Sequence, residues 1–189
     1  WEGQARSEQD LEKRRPLIEA SVALLTDSAE RGRADGLPVE IVSAGGTGTF
    51  YVTAFQPGVT EIQAGGAVFG DVASHWWGVE TKRALFIRTT VTSCPAPDRI
   101  ILDAGFKTMP NWHATPQPVG LEAMQEIAMS AEHATVTLSE PQPAIKAGDT
   151  LDFLVGYGDE TVFLHDRLYG IRDGIVEVVW EIQGRGKIR

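Results

Sequence analysis

The stretch Pro38–Phe50, which reads PVEIVSAGGTGTF, decides the fold of this chain. A β-branched run, Val39–Val42, stops at Ser43, and three glycines and two threonines follow within seven positions. Such a turn after a strand is where α/β proteins hold phosphates, because glycine exposes main-chain N–H groups and hydroxyls add donors. The loop lacks the lysine of a P-loop and the spacing of a dinucleotide fingerprint. It therefore indicates a site for a small phosphate monoester, such as a phosphorylated cofactor, or else a tight turn without a ligand.

Composition narrows the possible partners. The chain has 189 residues, enough for one domain or two small ones. Its formal net charge of −9 argues against a nucleic-acid partner, because phosphate backbones need basic surfaces. The single cysteine, Cys94, excludes an internal disulfide and indicates a reducing, cytoplasmic setting. No apolar stretch approaches the length of a membrane span, and no secretory signal opens the chain, so we expect no membrane partner.

The first 70 residues alternate between helix and strand patterns. We expect a helix over residues 7–33, with Ser7 and Asp10 as a capping box, and strands over Val39–Val42 and Thr60–Ala64. The second strand again ends in glycines, Gly65 and Gly66. The order helix, strand, loop, strand, loop predicts a parallel α/β arrangement. The expected apolar face of the helix consists of Leu17, Val22, Leu24, Leu25 and Ala29.

The pattern changes after residue 84 to short strands separated by Pro, Gly and Asp turns, which predicts an antiparallel β-domain. Asp173-Gly174 is a strong hairpin signal, since Asp-Gly supports positive φ. Residues 105–130 carry three prolines and are expected to form a long loop, with a short helix near Leu121–Ile127. The predicted strands are 85–91, 99–102, 135–138, 150–154, 167–171 and 175–180.

Several motifs that occur in order along the chain resemble the D-threonine aldolase and D-serine dehydratase family. Its members are pyridoxal-phosphate enzymes of the alanine-racemase fold. The resemblance covers nearly the whole chain. The motifs that carry it are Trp1–Gly3, Ser43–Thr49, Glu61–Asp71, Asp103–Lys107, Ser130–His133, and Leu164–Gly174 with Gly184–Lys187.

The resemblance implies a fold in two parts. Residues 1–84 would be the C-terminal portion of a pyridoxal-phosphate-binding (β/α)8 barrel, and residues 85–189 an antiparallel β-domain. The family's Schiff-base lysine lies on the first barrel strand, and none of the five lysines here stands in that setting. We therefore expect a fragment, the C-terminal half of an enzyme that is a homodimer at full length. Strand edges left unpaired would make this half alone poorly soluble.

The resemblance also assigns site residues. The amides of Gly45, Gly46 and Thr47 and the hydroxyls of Ser43 and Thr47 would hold the cofactor phosphate. Gln63 would lie near the cofactor or in a polar layer of the barrel interior. His133 would assist proton transfer, or be structural, as a lone histidine more often is.

Two aromatic motifs also allow two interpretations each. His75-Trp76-Trp77 would be an aromatic wall beside the substrate, or packing in a core or dimer contact. Trp112-His113 would help to close the site, or belong to a plain surface loop.

One family feature is altered. Members carry a His-x-Cys or His-x-Asp pair that binds a divalent metal near the substrate hydroxyl. Alignment through Thr161–Asp166 places Tyr157 and Asp159 at these positions. Asp159 could still ligate zinc or manganese, but Tyr157 is a poor replacement for histidine, which weakens the predicted metal site.

The function implied by the resemblance is that of a lyase acting on a small D-configured β-hydroxy amino acid. Pyridoxal 5'-phosphate would form an imine with the substrate amine, and Cα–Cβ cleavage would give glycine and an aldehyde. The first alternative is dehydration to a keto acid and ammonia, as in the D-serine and D-hydroxyaspartate dehydratases. The second is a non-catalytic phosphate-binding module or a subunit that pairs with a separate barrel half.

Overall fold

The computed structural model describes residues 1–187, which form two compact units. Unit 1 comprises Trp1–Gly70 and Ser74–Lys82, and unit 2 comprises Asp71–Ala73 and the chain from Arg83 onward. Within the described chain, no helix combines the length and apolarity that a membrane span requires.

Unit 1 begins with a 3-10 helix, Gly3–Ser7, and the long helix α1, Leu11–Ala34. The predicted start of α1 at Ser7 was wrong, because Asp10 is itself the N-cap and accepts a hydrogen bond from the Glu12 amide at 3.0 Å. The Ser7 hydroxyl instead donates to the Gln4 carbonyl, which closes the 3-10 helix.

The buried face of α1 matches the predicted one only at Val22 and Ala29. Its buried residues are Arg14, Ile18, Val22 and Ala29, whereas Leu17 and Leu24 are 50% and 72% exposed. The spacing of four between Arg14, Ile18 and Val22 puts them on one stripe. Arg14 belongs to that stripe because its guanidinium donates to the Tyr51 hydroxyl at 3.0 Å and to the Trp77 carbonyl. Arg14, a buried cation with oxygen partners, therefore lies on the core-facing side of α1, and Leu17 and Leu24 lie on the exposed side.

A parallel pair of short strands follows α1. Strand β1, Ser43–Ala44, pairs with β2, Glu61–Ile62, and helix α2, Phe50–Thr53, lies between them in sequence. The predicted strand at Val39–Val42 was placed too early: regular pairing starts at Ser43, and the Val42 amide bonds the Thr60 side chain at 2.8 Å. After β2 come a second 3-10 helix, Gly65–Val68, and helix α3, Val72–Trp76.

A buried carboxylate joins the start of unit 1 to the glycine-rich loop. Glu2 is 1% exposed, and its Oε1 accepts from the Gly45 amide at 2.8 Å, Thr49 Oγ1 at 2.7 Å and Thr53 Oγ1 at 3.3 Å. Burial would raise the pKa of Glu2, but hydrogen bonds from Thr49, from its own main chain, from Gly45 and from Thr53 together outweigh burial and lower it. The charged form of Glu2 is thus the one that this part of the fold stabilises.

Replacing Glu2 by Gln should destabilise unit 1 in a pH-dependent way. The amide keeps the size but loses the charge that three donors share, so we expect a loss of about 2 kcal/mol in the free energy of unfolding at pH 7. Because the folded pKa is lowered, the contribution of Glu2 is complete above its unfolded pKa and fades as pH falls below about 4. Chemical denaturation of wild type and E2Q at pH 7 and in this acidic range measures it.

The exposed Glu30, on α1, provides the control. E30Q should match wild type at both pH values. If the difference in free energy of unfolding between wild type and E2Q is as large in acid as at pH 7, the charge of Glu2 contributes nothing to stability.

Unit 2 contains a six-stranded antiparallel sheet with the order β5-β8-β3-β4-β7-β6. A core that includes Val91, Leu102, Met109, Val136 and Phe153, each fully buried, packs against it. The strands are β3 Phe86–Ala96, β4 Arg99–Leu102, β5 Gln117–Pro118, β6 Met124–Met129, β7 Ala134–Leu138 and β8 Thr150–Leu154.

The predicted loop over residues 105–130 contains two strands, and the helix expected near Leu121–Ile127 is absent. Residues of that segment form β6, which pairs with β7 so that Ile127 lies opposite Val136 in the core. A register shift between Met124 and Glu126 interrupts the alternation of apolar residues. Because of this bulge, the sequence of β6 lacks the regular alternation from which a strand is predicted. Strand β3 also runs to Ala96, beyond the predicted end at residue 91.

A separate hairpin confirms the Asp-Gly turn. Strands β9, Arg167–Arg172, and β10, Ile175–Glu181, pair with each other around Asp173 and Gly174, whose φ values are +50° and +78°. Two successive positive φ angles are what a type I′ hairpin turn needs.

Gly105 allows the chain after β4 to lie against the turn between β6 and β7. The Phe106 amide donates to the Ser130 carbonyl at 2.8 Å, and a Cβ on Gly105 would stand 2.4 Å from the His133 nitrogen. Both groups that a side chain would meet are main chain, which cannot swing away.

Gly105→Ala should therefore destabilise unit 2 by about 2–3 kcal/mol, through overpacking that only a backbone shift relieves. Urea unfolding monitored by circular dichroism measures the change. Gly184→Ala is the matched control, since a Cβ there meets no atom within 4 Å. Equal midpoints for the two variants would contradict the packing argument.

Candidate functional site

The loop after β1 needs glycine at its first turn. Gly45 has φ of +85°, and a Cβ on it would lie 2.7 Å from Ile62 Cδ1. The left-handed backbone disfavours any residue with a side chain, and a Cβ would also force the end of the Ile62 side chain to shift. This conformation also aims the Gly45 amide at Glu2.

The next three amides of the loop point away from protein acceptors. The Gly46 carbonyl accepts from Thr49 and Phe50, each at 2.9 Å, which turns the chain sharply. Within the described part of the chain, the N–H groups of Gly46, Thr47 and Gly48 donate to no acceptor. Successive free amides in a tight turn make a concavity that suits an anion.

A second glycine pair borders this concavity. Thr47 Oγ1 lies 3.1 Å from where a Cβ of Gly66 would stand, and a Cβ on Gly65 or Gly46 would meet nothing within 4 Å. The loops after β1 and β2 therefore approach each other at Thr47 and Gly66, while Gly46 and Gly65 face open space. The donors and the space fit a phosphate monoester.

Ser43 and Gln63 lie together beside the loop, but not as free phosphate ligands. The Ser43 hydroxyl donates to Glu61 Oε1 at 2.5 Å and accepts from Gln63 Nε2 at 2.7 Å. A carboxylate next to the hydroxyl disfavours an anion at that atom. Among the residues assigned from the sequence, Gly46 and Thr47 keep free donors.

Sequence reasoning missed two residues of this site. Gly48 supplies a third free amide, and its place in the Gly-Thr-Gly run was the available signal. Glu2 accepts the Gly45 amide from 43 residues away in the chain, and no local sequence pattern predicts a contact over that separation.

Trp77, from the aromatic motif at residues 75–77, is a packing residue. It is 6% exposed, and the Arg6 guanidinium lies 4.8 Å from the centre of its ring. Trp76 beside it is half exposed. The core interpretation therefore holds for Trp77.

The segment Asp103–Lys107 is held by structural contacts. Asp103 Oδ1 accepts from Thr89 Oγ1 at 2.7 Å and from the Thr90 amide at 2.8 Å. Burial would raise the pKa of Asp103, but these hydrogen bonds lower it. Lys107 forms an exposed ion pair with Glu132 at 2.6 Å, and this hydrogen bond raises the pKa of Lys107. A lysine that forms a Schiff base needs the opposite shift.

His133 lies in the turn between β6 and β7 with its side chain exposed. Its carbonyl accepts from both the amide and the hydroxyl of Ser130, each at 2.9 Å, and these bonds close the turn. The main chain of His133 thus has a structural role, and its catalytic role stays a prediction.

Tyr157 and Asp159 stand at the start of helix α4, Gly158–Val162, which sequence reasoning did not predict. Tyr157 Oη donates to Asp159 Oδ2 at 2.6 Å, and the His113 ring lies 4.8 Å from the Tyr157 ring. Asp71, 1% exposed, accepts from the amide of Gly158 at 2.6 Å. The two side chains are therefore presented by a fixed piece of backbone.

This pair does not have the composition of a metal centre. Among residues 1–187, no group of three or more His, Cys, Asp and Glu side chains is placed to hold a metal ion. The Tyr157 hydroxyl is the donor in the bond to Asp159, and a protonated phenol is a poor ligand for zinc or manganese. The residues at the expected metal position do not fit a divalent cation.

A cleft of about 810 Å³ lies at the base of the β9–β10 hairpin. Its arginines are neutralised, since Arg167 pairs with Glu181 at 2.7 Å and Arg185 pairs with Asp166. Both guanidinium groups at this cleft are thus already engaged by carboxylates.

Comparisons with known proteins agree with the motifs. A family model described as "Putative serine dehydratase domain" matches residues 84–171. The chain is 32% identical over 190 residues to a D-threonine aldolase from an Arthrobacter species, across 98% of this chain and 50% of that protein. It thus spans about half the length of the curated relatives that it matches.

Solved structures show the same fold. A D-threonine aldolase from Filomicrobium marinum superposes with a TM-score of 0.90 at 22% identity, over 99% of this chain and 52% of that one. D-threo-3-hydroxyaspartate dehydratase from Delftia sp. HT23 gives a TM-score of 0.82 at 26% identity, over 95% and 53%. An alanine-racemase-like protein from Idiomarina loihiensis, at 16% identity and a TM-score of 0.73 over 95% and 53%, shares the fold. Together with the ordered motifs, these matches show that the chain belongs to the D-threonine aldolase and D-serine dehydratase-like family, of which it represents a C-terminal half.

Proposed function

We propose that this chain is part of a pyridoxal-phosphate-dependent lyase that cleaves D-configured β-hydroxy amino acids to glycine and an aldehyde. The observation that carries the proposal is the set of free donors in the glycine loop: the amides of Gly46, Thr47 and Gly48, with the Thr47 hydroxyl beside Gly66. The aldolase activity of the relatives in this family supports the reaction.

In this proposal the chain's own part is to hold and orient the cofactor by its phosphate. Three main-chain N–H groups already point outward, because Gly45 and Glu2 fix the turn before any ligand arrives. Preorganised donors lose little entropy on binding, so they position a ligand efficiently. When bound, pyridoxal phosphate supplies an electron sink for the bond that breaks at Cα.

The Schiff-base lysine would come from the part of the enzyme that matches the other half of the relatives. Residues 1–84 would complete the barrel that surrounds the cofactor, and residues 85–189 would form the β-domain. We further propose a cytoplasmic homodimer as the working form. His133 would assist proton transfer there, with its imidazole exposed on the turn after β6.

Dehydration to a keto acid and ammonia is the second candidate. It is favoured by the similarity to D-threo-3-hydroxyaspartate dehydratase at 26% identity and by the matching serine dehydratase domain. Both reactions need the same phosphate anchor and differ in which bond breaks.

The first test uses the full-length gene product. We expect it to carry a yellow imine that borohydride reduces, and to release glycine and acetaldehyde from D-threonine. Release of ammonia and a keto acid from D-serine or D-3-hydroxyaspartate would favour the dehydratase. A full-length protein with no reducible imine would contradict both and favour a binding module.

Thr47→Ala in that protein should weaken cofactor binding about tenfold, because one hydroxyl donor to a charged phosphate is worth about 1.4 kcal/mol or more. Fluorescence titration of the apoenzyme with pyridoxal phosphate measures the dissociation constant. Thr26→Ala, on α1, is the control and should leave the constant unchanged. Equal affinities for the two variants would show that the Thr47 hydroxyl does not contribute to binding of the cofactor phosphate.

A further inference from the structure

The hydrogen bond between Tyr157 and Asp159 is short and lies within a supported cluster. Its 2.6 Å length from Oη to Oδ2 is typical of a hydroxyl that donates to an ionised carboxylate. Asp159 is exposed, and its Oδ1 has no hydrogen-bond partner in the described chain. The pair therefore keeps one acceptor oxygen that a ligand can reach.

The cluster around the pair holds its geometry. Asp71 accepts the Gly158 amide between the two side chains, and Thr161 Oγ1 donates to the Tyr157 carbonyl at 2.9 Å. On the other side, the His113 ring contacts Tyr157, and the His113 amide donates to Glu160 Oε2 at 3.2 Å. Such support is what a binding site needs and a loose surface contact lacks.

A divalent cation could not use both side chains as they stand. To ligate a metal, Tyr157 must lose its proton and its hydrogen bond to Asp159, which leaves Asp159 Oδ1 as the one ready ligand of the pair. A tyrosine hydroxyl that has a carboxylate as its acceptor is already satisfied without a metal. The family's metal pair and this pair thus offer opposite chemistry: two ligands for a cation in one, and a donor with its acceptor in the other.

We propose that the Tyr157–Asp159 pair replaces the metal at this site and binds the β-hydroxyl of the substrate directly. Asp159 Oδ1 accepts the hydrogen bond from the substrate hydroxyl, while Tyr157 holds the carboxylate in place through Oδ2. The enzyme then works without a divalent cation. This inference rests on the proposed function for the substrate, but its first test does not.

The first test measures metal binding and needs no catalysis. Full-length wild-type protein, dialysed against chelator and titrated with Mn²⁺ or Zn²⁺ by calorimetry, should show no stoichiometric site in this pair. Tyr157→His restores a His-x-Asp pair and should gain a site for about one cation per chain. Tyr157→Phe should gain none, and Tyr169→His, on the exposed hairpin, controls for histidine alone.

Two results would overturn the inference at this stage. One is a stoichiometric site in wild type that Asp159→Asn abolishes. The other is a Tyr157→His protein that folds, by circular dichroism, but still binds no metal, because the position would then not be equivalent to the metal ligand.

The second test uses activity. With D-threonine as substrate, chelator should leave wild-type kcat/KM unchanged, Tyr157→Phe should lower it about tenfold, and Asp159→Asn about a hundredfold. Undiminished activity in Asp159→Asn would overturn the inference while leaving the lyase function intact. A protein without imine chemistry would instead overturn the proposed function, and the metal titrations would still decide the nature of the pair.

Discussion

The bond from the Glu2 carboxylate to the Gly45 amide determines the shape of unit 1 around its loop. A carboxylate that is 1% exposed is costly to bury without donors. The Gly45 amide and the Thr49 and Thr53 hydroxyls donate to Oε1, while the buried Oε2 has no hydrogen-bond partner within the described chain. These three bonds tie the loop and helix α2 to one carboxylate oxygen. The three amides that follow then have no acceptor among the described residues.

A buried carboxylate that accepts a glycine amide also occurs in unit 2. Asp71 is also 1% exposed and also accepts the amide of a glycine, Gly158, which stands between Tyr157 and Asp159. In both units a buried carboxylate fixes a glycine backbone, and the residues beside that glycine present the polar groups. A rigid support of this kind lets a site be ready before its ligand binds, which reduces the entropy lost on binding.

Local features of the fold could be predicted from the sequence, and long-range ones could not. Strands 99–102 and 150–154 and the Asp173-Gly174 turn follow from alternation and turn chemistry within a few residues. Strand β6 was missed because its bulge at Met124–Glu126 breaks the alternation. The glycine loop was found from its composition, but Glu2 and Asp71 act across 43 and 87 residues, a distance that no local pattern spans.

The pair at Tyr157 and Asp159 bears on which reaction the enzyme would catalyse. Retro-aldol cleavage needs the β-hydroxyl to lose a proton, and an adjacent carboxylate can accept it. Dehydration needs the same oxygen to leave with its electrons, and a negative carboxylate beside it opposes that departure, whereas a cation would assist it. A metal-free Tyr157–Asp159 site of the kind proposed would therefore favour cleavage of the Cα–Cβ bond over loss of the hydroxyl, which is the reason for proposing the aldolase before the dehydratase.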